Sequence, residues 1–299
     1  MVQVEVLTTT NKQIGTITFD ENTKVKDIKK QIASIYPKLN VDRQSIRSEP
    51  KGKDINDDLT IPSISNARKI YVKDLGPQIG WKTLFLLEYS GPLLVYGLVA
   101  LRPWILYGDR AQGTSLSTTA IIALGCWSAH YVKRILETLF VHRFSHGTMP
   151  IRNFFKNCGY YWGFALYVAY HVNHPLFTPP PLYFQICGLA LFAVSELGNL
   201  SIHILLRNLR PEGTKVRKIP VPNGNPLTLL YNFVSCPNYT YEFGAWLGFT
   251  ILTSCIPAGL FGLAGLYQMA VWALAKHRNY KKEFPNYPKN RKAILPFVL

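Results

Sequence analysis

Residues 182–210 have the sequence LYFQICGLALFAVSELGNLSIHILLRNLR, and this stretch decides the fold class. No charged residue stands between Asn157 and Ser195, and a second charge-free run extends from Phe243 to Ala275. Runs of this length are typical of membrane-spanning helices rather than of core helices in soluble proteins. Of the 299 residues, 48% are hydrophobic and 17% are charged, against about 25% charged in soluble proteins. A wholly soluble, collagen-like or disordered protein is therefore excluded.

The apolar runs after residue 75 predict an α-helical multi-spanning membrane protein with six transmembrane helices, and a seventh is left open. A helix needs about 20 residues to cross a hydrocarbon thickness of about 30 Å. Prolines at positions 175 and 179–181 separate the third run from the fourth. The last two runs are continuous, and we expect a turn at Pro257 and Gly259 to divide them. The runs lie near residues 83–104, 115–137, 157–174, 182–206, 243–257 and 259–275.

The amino-terminal part has the pattern of a small α/β domain. Residues 2–6 and 14–19 alternate apolar with polar side chains on either side of a polar turn, which predicts a β-hairpin. An amphipathic helix is predicted to follow Thr23 and to end at Tyr36-Pro37, and a closing strand is predicted at residues 69–73. This order of elements resembles a ubiquitin-like β-grasp domain, which we assign to residues 1–74. The apolar face of the predicted helix consists of Val25, Ile28, Ile32 and Ile35.

The net charge of +16 is placed as membrane topology requires. Residues 1–73 carry 13 Lys and Arg against 9 Asp and Glu, a net charge of +4, so the other +12 belongs to the membrane-rich remainder. Most of it lies in segments 138–156, 207–242 and the tail from Lys276, whereas the opposite side has only Asp109 and Arg110. The positive-inside rule then predicts that both termini face the cytosol. We expect no nucleic-acid partner, because no basic tract is interleaved with aromatic residues.

A polar stripe interrupts the fourth apolar run. Its members are spaced by three, four, four and three residues, so they fall within roughly 80° on one face of a helix. Such a stripe faces a pocket or another helix rather than lipid, and its paired arginines suit a phosphate-rich ligand. The alternative is that the arginines anchor the helix at lipid headgroups and an asparagine joins two helices. The stripe consists of Glu196, Asn199, His203, Arg207 and Arg210.

Two further polar clusters lie beside the last apolar runs. Residues 234–242 are expected to form irregular backbone at the membrane face, where it would line a cavity or be buried in protein. Tyrosine there is a proton donor at neutral pH, because its ordinary pKa is near 10. The alternative interpretations are a belt of interfacial tyrosines for this cluster and a lipid anchor for residues 277–280. The polar members are Asn238, Tyr239, Tyr241, Glu242, His277, Arg278, Asn279 and Tyr280.

Several kinds of site are excluded by missing motifs. The sequence has no GxGxxG and no P-loop, so any dinucleotide would have to be held by the helical site. Five cysteines without a CxxC pair indicate neither a disulfide framework nor a zinc site. The pairs His142/His146 and His171/His174 have helical spacing, but a di-iron centre of the desaturase kind needs about eight histidines, and the chain has seven. No metal site is predicted.

Several ordered blocks of sequence resemble the steroid 5-alpha-reductase family, and within it the very-long-chain trans-2-enoyl-CoA reductases. The resemblance covers nearly the whole chain, including the ubiquitin-like start. It implies that residues 75–299 form a transmembrane catalytic domain resident in the endoplasmic reticulum membrane. The blocks are residues 133–146, Gly198-Asn199, residues 207–210, residues 217–220, residues 235–239, residues 287–289 and Pro296-Phe297.

The resemblance implies an NADPH-dependent reduction of trans-2-enoyl-CoA to saturated acyl-CoA, the last step of very-long-chain fatty-acid elongation. Tyr239 matches the proposed proton donor of the enoyl reductases, and Gln78 matches a glutamine implicated in activity. His203 stands where steroid reductases carry an acid. The implied partners are a long-chain trans-2-enoyl-CoA, the lipid bilayer, an elongase condensing enzyme, a ketoacyl-CoA reductase and a hydroxyacyl-CoA dehydratase. The implied NADPH-binding residues are Asn199, His203, Arg207, Arg210, Asn238, Glu242, His277 and Tyr280.

Two other functions remain open from the sequence. One is a steroid or polyprenol double-bond reductase, which would use the same chemistry on another substrate. The other is a non-enzymatic membrane adaptor that recruits partners through its ubiquitin-like domain.

Overall fold

The computed structural model describes residues 2–20, 22–60, 68–143, 147–209 and 217–299. The chain forms two compact units, one of residues 1–84 and 144–156, and the other of residues 85–143 and 157–299. Each unit has its own cluster of buried apolar side chains.

The first unit contains a mixed four-stranded sheet whose strands follow the order β2-β1-β4-β3. β1 pairs in parallel with β4, while β2 and β3 pair antiparallel with their neighbours. This is the arrangement of a β-grasp fold, and it confirms the predicted hairpin and closing strand. The strands are β1 Val2–Thr8, β2 Gln13–Phe19, β3 Gln44–Arg47 and β4 Lys69–Asp74.

Helix α1, Val25–Ile35, closes the core of this sheet. Val25, Ile28 and Ile32 are fully buried, as the sequence pattern predicts, whereas Ile35 is 47% exposed at the end of the helix. The helix begins after Lys24 without a side-chain cap. The Thr23 hydroxyl donates to Asp20 Oδ1 instead, so it belongs to the preceding turn.

Several short elements lie between the main strands and helices. β5, Gln78–Gly80, pairs antiparallel with β6, Thr148–Pro150. A short helix α3, Trp104–Tyr107, is followed by a 3₁₀ turn at Gly108–Ala111. Further 3₁₀ turns lie at Val41–Arg43 and Pro226–Asn232.

Each of the six predicted apolar runs coincides with a long helix. Three of the described helices, Trp81–Ala100, Leu182–Leu209 and Ile256–Glu283, are long and apolar enough to cross a membrane. The protein is therefore mostly helical and has helices suited to a membrane. The count of six or seven spans stays a prediction. The helices are α2 Trp81–Ala100, α4 Thr118–Phe140, α5 Arg152–Val172, α6 Leu182–Leu209, α7 Pro237–Thr253 and α8 Ile256–Glu283.

Two predicted boundaries near the last helices are wrong, and both errors concern proline. The break between α7 and α8 lies at Ser254, whose φ is 49°, and not at Pro257 and Gly259. Residues 237–242 are helical rather than irregular, because Pro237 begins α7. Proline is favoured in the first turn of a helix, since its missing N–H has no helical partner there, and Pro257 likewise lies in the first turn of α8.

The contact between α6 and α7 brings two helix backbones close together. A Cβ placed on Gly248 would lie 2.5 Å from Phe192 N and 2.8 Å from Gly188 O, and one placed on Gly244 would lie 2.5 Å from the Ser195 hydroxyl. Gly244 and Gly248 are four residues apart, the spacing with which small residues let membrane helices approach. This contact sets the distance between the polar faces of the two helices.

Candidate active site

Helix α4 carries four polar side chains on one face, although most of its length is apolar. They recur at intervals of three, one and three residues, so they project from the same side of the helix. The imidazole and the carboxylate are almost fully buried. A charge buried among apolar helices needs partners, because burial alone costs several kcal/mol. The four residues are His130, Lys133, Arg134 and Glu137.

The polar stripe of α6 supplies partners for the α4 residues. His130 Nδ1 lies 2.6 Å from Glu196 Oε1, and Lys133 Nζ lies 2.7 Å from Glu196 Oε2. Lys133 also donates to Asn199 Oδ1 at 2.8 Å. The carboxylate of Glu196 therefore lies between a histidine and a lysine, and Asn199 is only 2% exposed. The prediction that this part of the stripe faces protein rather than lipid is confirmed.

The first turns of α7 complete the same network. Asn199 Nδ2 donates to the backbone oxygen of Asn238 at 3.0 Å and to Glu242 Oε2 at 3.2 Å. The other carboxylate oxygen of Glu242 accepts from Trp246 Nε1 and lies 3.5 Å from His130 Nε2. Asn199 thus joins three helices through one amide. The buried side-chain oxygen of Asn238 has no hydrogen-bond partner among the described residues.

A second group of contacts surrounds Glu137 of α4. Arg134 Nη1 donates to Glu137 Oε2 at 2.7 Å, and Arg134 Nη2 donates to the Tyr89 hydroxyl at 2.9 Å. His203 Nδ1 lies 3.0 Å from Glu137 Oε1. The predicted stripe residue His203 therefore faces a carboxylate from α4.

The potential ligand atoms of Glu137, His142 and His203 all lie within 4.8 Å of one another. Burial, with a further contribution from Arg134, lowers the pKa of His142 to about 3, so its ring is neutral at pH 7. The cationic Lys133 and Arg134 lie within 4 Å of the two Glu137 oxygens and compete with a metal cation for them. We interpret this group as an ion-pair network rather than a metal centre.

Tyr239 directly follows Asn238 in α7, and its side chain packs against α8. Its ring packs 6.2 Å from Trp272, and it contacts the apolar cluster that includes Cys236, Met269 and Ala293. Its hydroxyl forms no hydrogen bond with another residue described in the structure. The hydroxyl of Tyr241, by contrast, donates to Leu227 O at 2.8 Å. Of these two tyrosines, Tyr239 is the one whose hydroxyl has no hydrogen bond to a described residue.

The predicted residues at the end of α8 form a separate hydrogen-bonded group. The Ser235 hydroxyl lies 2.6 Å from both His277 Nδ1 and the Tyr287 hydroxyl. The Tyr280 ring stacks on Tyr287 at a centroid distance of 5.4 Å. His277 and Tyr280 are buried and held by the segment after α8, so they are not simple lipid anchors.

The structure does not bring every predicted site residue into these networks. Gln78 belongs to the first unit, where its side-chain amide donates to the backbone oxygens of Leu75 and Gly76. Arg207 is exposed at the end of α6. Arg210 lies outside the described residues, as does His146 of the first histidine pair.

The four polar residues of α4 were not predicted from the sequence to have a role in the site. The signal was available, because charges at helical spacing inside an apolar helix need partners at membrane depth. What the sequence could not supply was the identity of those partners, which come from α2, α6 and α7.

Comparisons with known proteins agree with this arrangement of the chain. A family described as "3-oxo-5-alpha-steroid 4-dehydrogenase" matches residues 147–299, and one described as "TECR, ubiquitin-like domain" matches residues 2–74. The chain belongs to the first family. The family resemblance drawn from the sequence, and the ubiquitin-like assignment of the amino-terminal part, are thereby confirmed.

The relatives share most of their length with this chain. The "Probable very-long-chain enoyl-CoA reductase art-1" of Caenorhabditis elegans is 57% identical, over 92% of this chain and 91% of the relative. The "Very-long-chain enoyl-CoA reductase" of Dictyostelium discoideum is 44% identical, over 100% of both chains. The human "Trans-2,3-enoyl-CoA reductase-like" protein is 39% identical, over 93% of this chain and 78% of its own length.

Proposed function

We propose that this protein reduces the trans-2 double bond of a very-long-chain enoyl-CoA with NADPH, the last step of fatty-acid elongation. The observation that carries the proposal is the polar network shared by α4, α6 and α7, in a chain whose relatives are named enoyl-CoA reductases. A membrane adaptor would have no need of so many buried charges. We expect such a network where polar groups orient a ligand.

The residues present fit a nicotinamide cofactor. The side-chain oxygen of Asn238 is buried without a partner among the described residues, so it can accept a hydrogen bond from the amide of a bound ligand. Asn199 donates to the backbone oxygen of Asn238 and to Glu242 Oε2, and so joins these two residues. With His203, His277 and Tyr280 they form the proposed binding set for NADPH. Arg207 and Arg210 are proposed to hold phosphates, because guanidinium groups bind phosphate oxygens in pairs.

The reduction adds a hydride to the β carbon of the enoyl thioester and a proton to the α carbon. NADPH, when bound, supplies the hydride. Tyr239 is the proposed proton donor, because its phenol forms no hydrogen bond within the described structure and lies beside the network. Its apolar surroundings exclude water and strengthen a hydrogen bond to the thioester oxygen, where negative charge develops. Gln78 is proposed to contribute to activity without an assigned contact.

The proposed location is the endoplasmic reticulum membrane, with both termini in the cytosol. The basic segments beside the apolar helices support this orientation through the positive-inside rule. The acyl chain of the substrate would lie among the helices, and its coenzyme A would remain in the aqueous phase. The condensing enzyme, ketoacyl-CoA reductase and hydroxyacyl-CoA dehydratase of elongation are proposed partners, because the product of each enzyme is the substrate of the next.

The test uses the purified full-length protein with a long-chain trans-2-enoyl-CoA and either NADPH or NADH. We expect oxidation of NADPH coupled to formation of saturated acyl-CoA, and a much slower reaction with NADH. Turnover of a steroid enone or a polyprenol without turnover of enoyl-CoA would reject the substrate assignment. Absence of oxidation with all three substrates would favour the adaptor.

A further inference from the structure

A basic cavity of about 450 Å³ lies between the end of α8 and the chain segment that follows it. Among the described residues that line it, every charged side chain is cationic, and Leu299, whose carboxyl oxygen accepts from Ile294 N and Leu295 N, also lines it. Leu274 and Val298 give the cavity an apolar wall on one side. Such a combination suits a ligand with several phosphates and a less polar end. The cationic residues are Lys281, Lys289, Arg291 and Lys292.

Arg291 indicates that an anion belongs in this basic cavity. It is only 4% exposed, and its Nε and Nη1 atoms have no hydrogen-bond partner among the described residues. The guanidinium lies 5.8 Å from the centre of the Tyr231 ring and 5.4 Å from that of Tyr287, so the aromatic faces fix its plane. A buried guanidinium is nearly always paired with an anion, because its desolvation is otherwise uncompensated. No carboxylate of the described chain forms an ion pair with it.

The basic cavity lies close to the proposed proton donor. Ala293 lines the cavity and also belongs to the apolar cluster against which Tyr239 packs. His277, whose Nδ1 contacts Ser235, lies on the wall of the same cavity. A ligand that fills the cavity could therefore extend toward Tyr239.

We propose that the basic cavity binds the phosphorylated adenosine end of coenzyme A in the enoyl-CoA substrate. This inference rests on the proposed function. Hydride transfer requires NADPH and enoyl-CoA to be bound together, and both carry an adenosine with three phosphates, so two separate anion sites are needed. Arg207 and Arg210 are the proposed site for one set of phosphates. The described lining of the basic cavity includes His277 of the proposed NADPH-binding set but no residue of α6 or α7, so its lysines and Arg291 provide the second set of phosphate contacts.

The experiment measures equilibrium binding of two probes to the full-length protein. Adenosine 3′,5′-bisphosphate stands for the coenzyme A end, and adenosine 2′,5′-bisphosphate stands for the NADPH end. Lys281→Ala combined with Lys289→Ala removes two cavity charges at exposed positions. Lys282→Ala is the matched control, because it removes an exposed charge from the next residue of α8 that does not line the cavity. Arg291→Gln is the second variant.

We expect the double lysine variant to bind the 3′,5′ probe about tenfold or more weakly, since each charge-assisted contact contributes on that order. The double lysine variant should bind the 2′,5′ probe within about twofold of wild type. The Lys282→Ala control should bind both probes within about twofold of wild type. In turnover, KM for enoyl-CoA should rise while KM for NADPH is unchanged. Arg291→Gln should have the same effect on the 3′,5′ probe.

Equal weakening of both probes, or weakening of the 2′,5′ probe alone, would assign the basic cavity to the dinucleotide and overturn the proposal. Unchanged binding of both probes would make the lysines membrane anchors and would also overturn it. Because probe binding needs no turnover, failure of the enoyl-CoA assay alone would reject the proposed function and not this site.

Discussion

Tyr239 and Tyr241 show how neighbouring residues of one type acquire different roles. Both lie in the first two turns of α7 and carry the same phenol. The Tyr241 hydroxyl is committed to a backbone oxygen, and its ring lies over Gly198. The Tyr239 hydroxyl has no such commitment to any residue in the described ranges. Residue type and spacing do not distinguish the two, and only the family resemblance singled out Tyr239, because the difference lies in what each side chain meets across the helix interface.

We predict that Tyr239→Phe lowers kcat by about 10²–10⁴-fold, because a positioned general acid contributes that much. KM for NADPH should change less than about threefold, since the proposed cofactor contacts come from other residues. Steady-state kinetics with enoyl-CoA measures both quantities. Tyr241→Phe is the control, and it should retain most of kcat while losing about 1 kcal/mol of stability. A Tyr239→Phe protein of wild-type activity would remove the proton-donor assignment.

Predictions for single residues were correct where the spacing of residues along one helix was sufficient evidence. The spacing of Glu196, Asn199 and His203 placed them on one inward face, and the structure agrees. Lys133 and Arg134 were not assigned a role, because their importance lies in contacts with other helices. That Arg291 Nε and Nη1 lack a hydrogen-bond partner among the described residues is likewise visible only in three dimensions.

At the scale of elements, the α6–α7 contact depends on residues without side chains. Gly188 of α6 faces the backbone of α7 at Gly248 and Leu252. Larger residues would push the helices apart and lengthen the hydrogen bonds from Asn199 to Asn238 and Glu242. The contact therefore couples helix packing to the geometry of the candidate site.

We predict that Gly248→Ala destabilises the protein by about 1–3 kcal/mol, because its Cβ would overlap the backbone of α6. Gly125→Ala in α4 is the matched control. A Cβ at Gly125 meets nothing within 4 Å, so alanine there should be neutral or stabilise the helix by up to about 1 kcal/mol. Denaturant titration of both variants in the same detergent gives the comparison. Equal stability of the two variants would contradict the packing argument.

The existence of the helices was predictable from the sequence, and their ends were less so. Apolar runs placed all six long helices, because hydrophobicity is a local property of the chain. The start of α7 and the break at Ser254 were missed, because a proline can either stop a helix or begin one. The choice depends on packing on either side, which the local sequence does not specify.

At the scale of the whole molecule, the two units have separate cores and different electrostatics. In the first unit, Arg43 donates from Nε to Asp74 Oδ1 at 3.0 Å and from Nη2 to Asp74 Oδ2 at 2.6 Å. These hydrogen bonds, with one from the backbone of Gly76, lower the pKa of Asp74 below its ordinary 3.8. The ionised carboxylate therefore stabilises the folded unit above pH 3.8, and this contribution is lost as the pH falls through the lower folded value.

We predict that Asp74→Asn reduces protection from hydrogen exchange in β4 at pH 6 and has progressively less effect as the pH falls below 3.8. Comparing wild type and variant at each pH by mass spectrometry cancels the intrinsic pH dependence of exchange. Peptides from α6 and α7 should exchange at the same rate in both proteins, because the change is confined to the other unit. Asp54→Asn, at an exposed loop position, is the control. A pH-independent effect of Asp74→Asn would exclude the ion pair as its cause.

The glycines between α6 and α7 have a thermodynamic consequence for ligand recognition. Because these two backbones are in contact, neither helix can rotate or slide without collision, and the amide of Asn199 is held against its acceptors. A ligand entering there meets groups that are already arranged, so little conformational entropy is lost on association. The rigidity of the helix pair therefore contributes to binding affinity. Loosening the pair should weaken ligand binding even when every polar residue is retained.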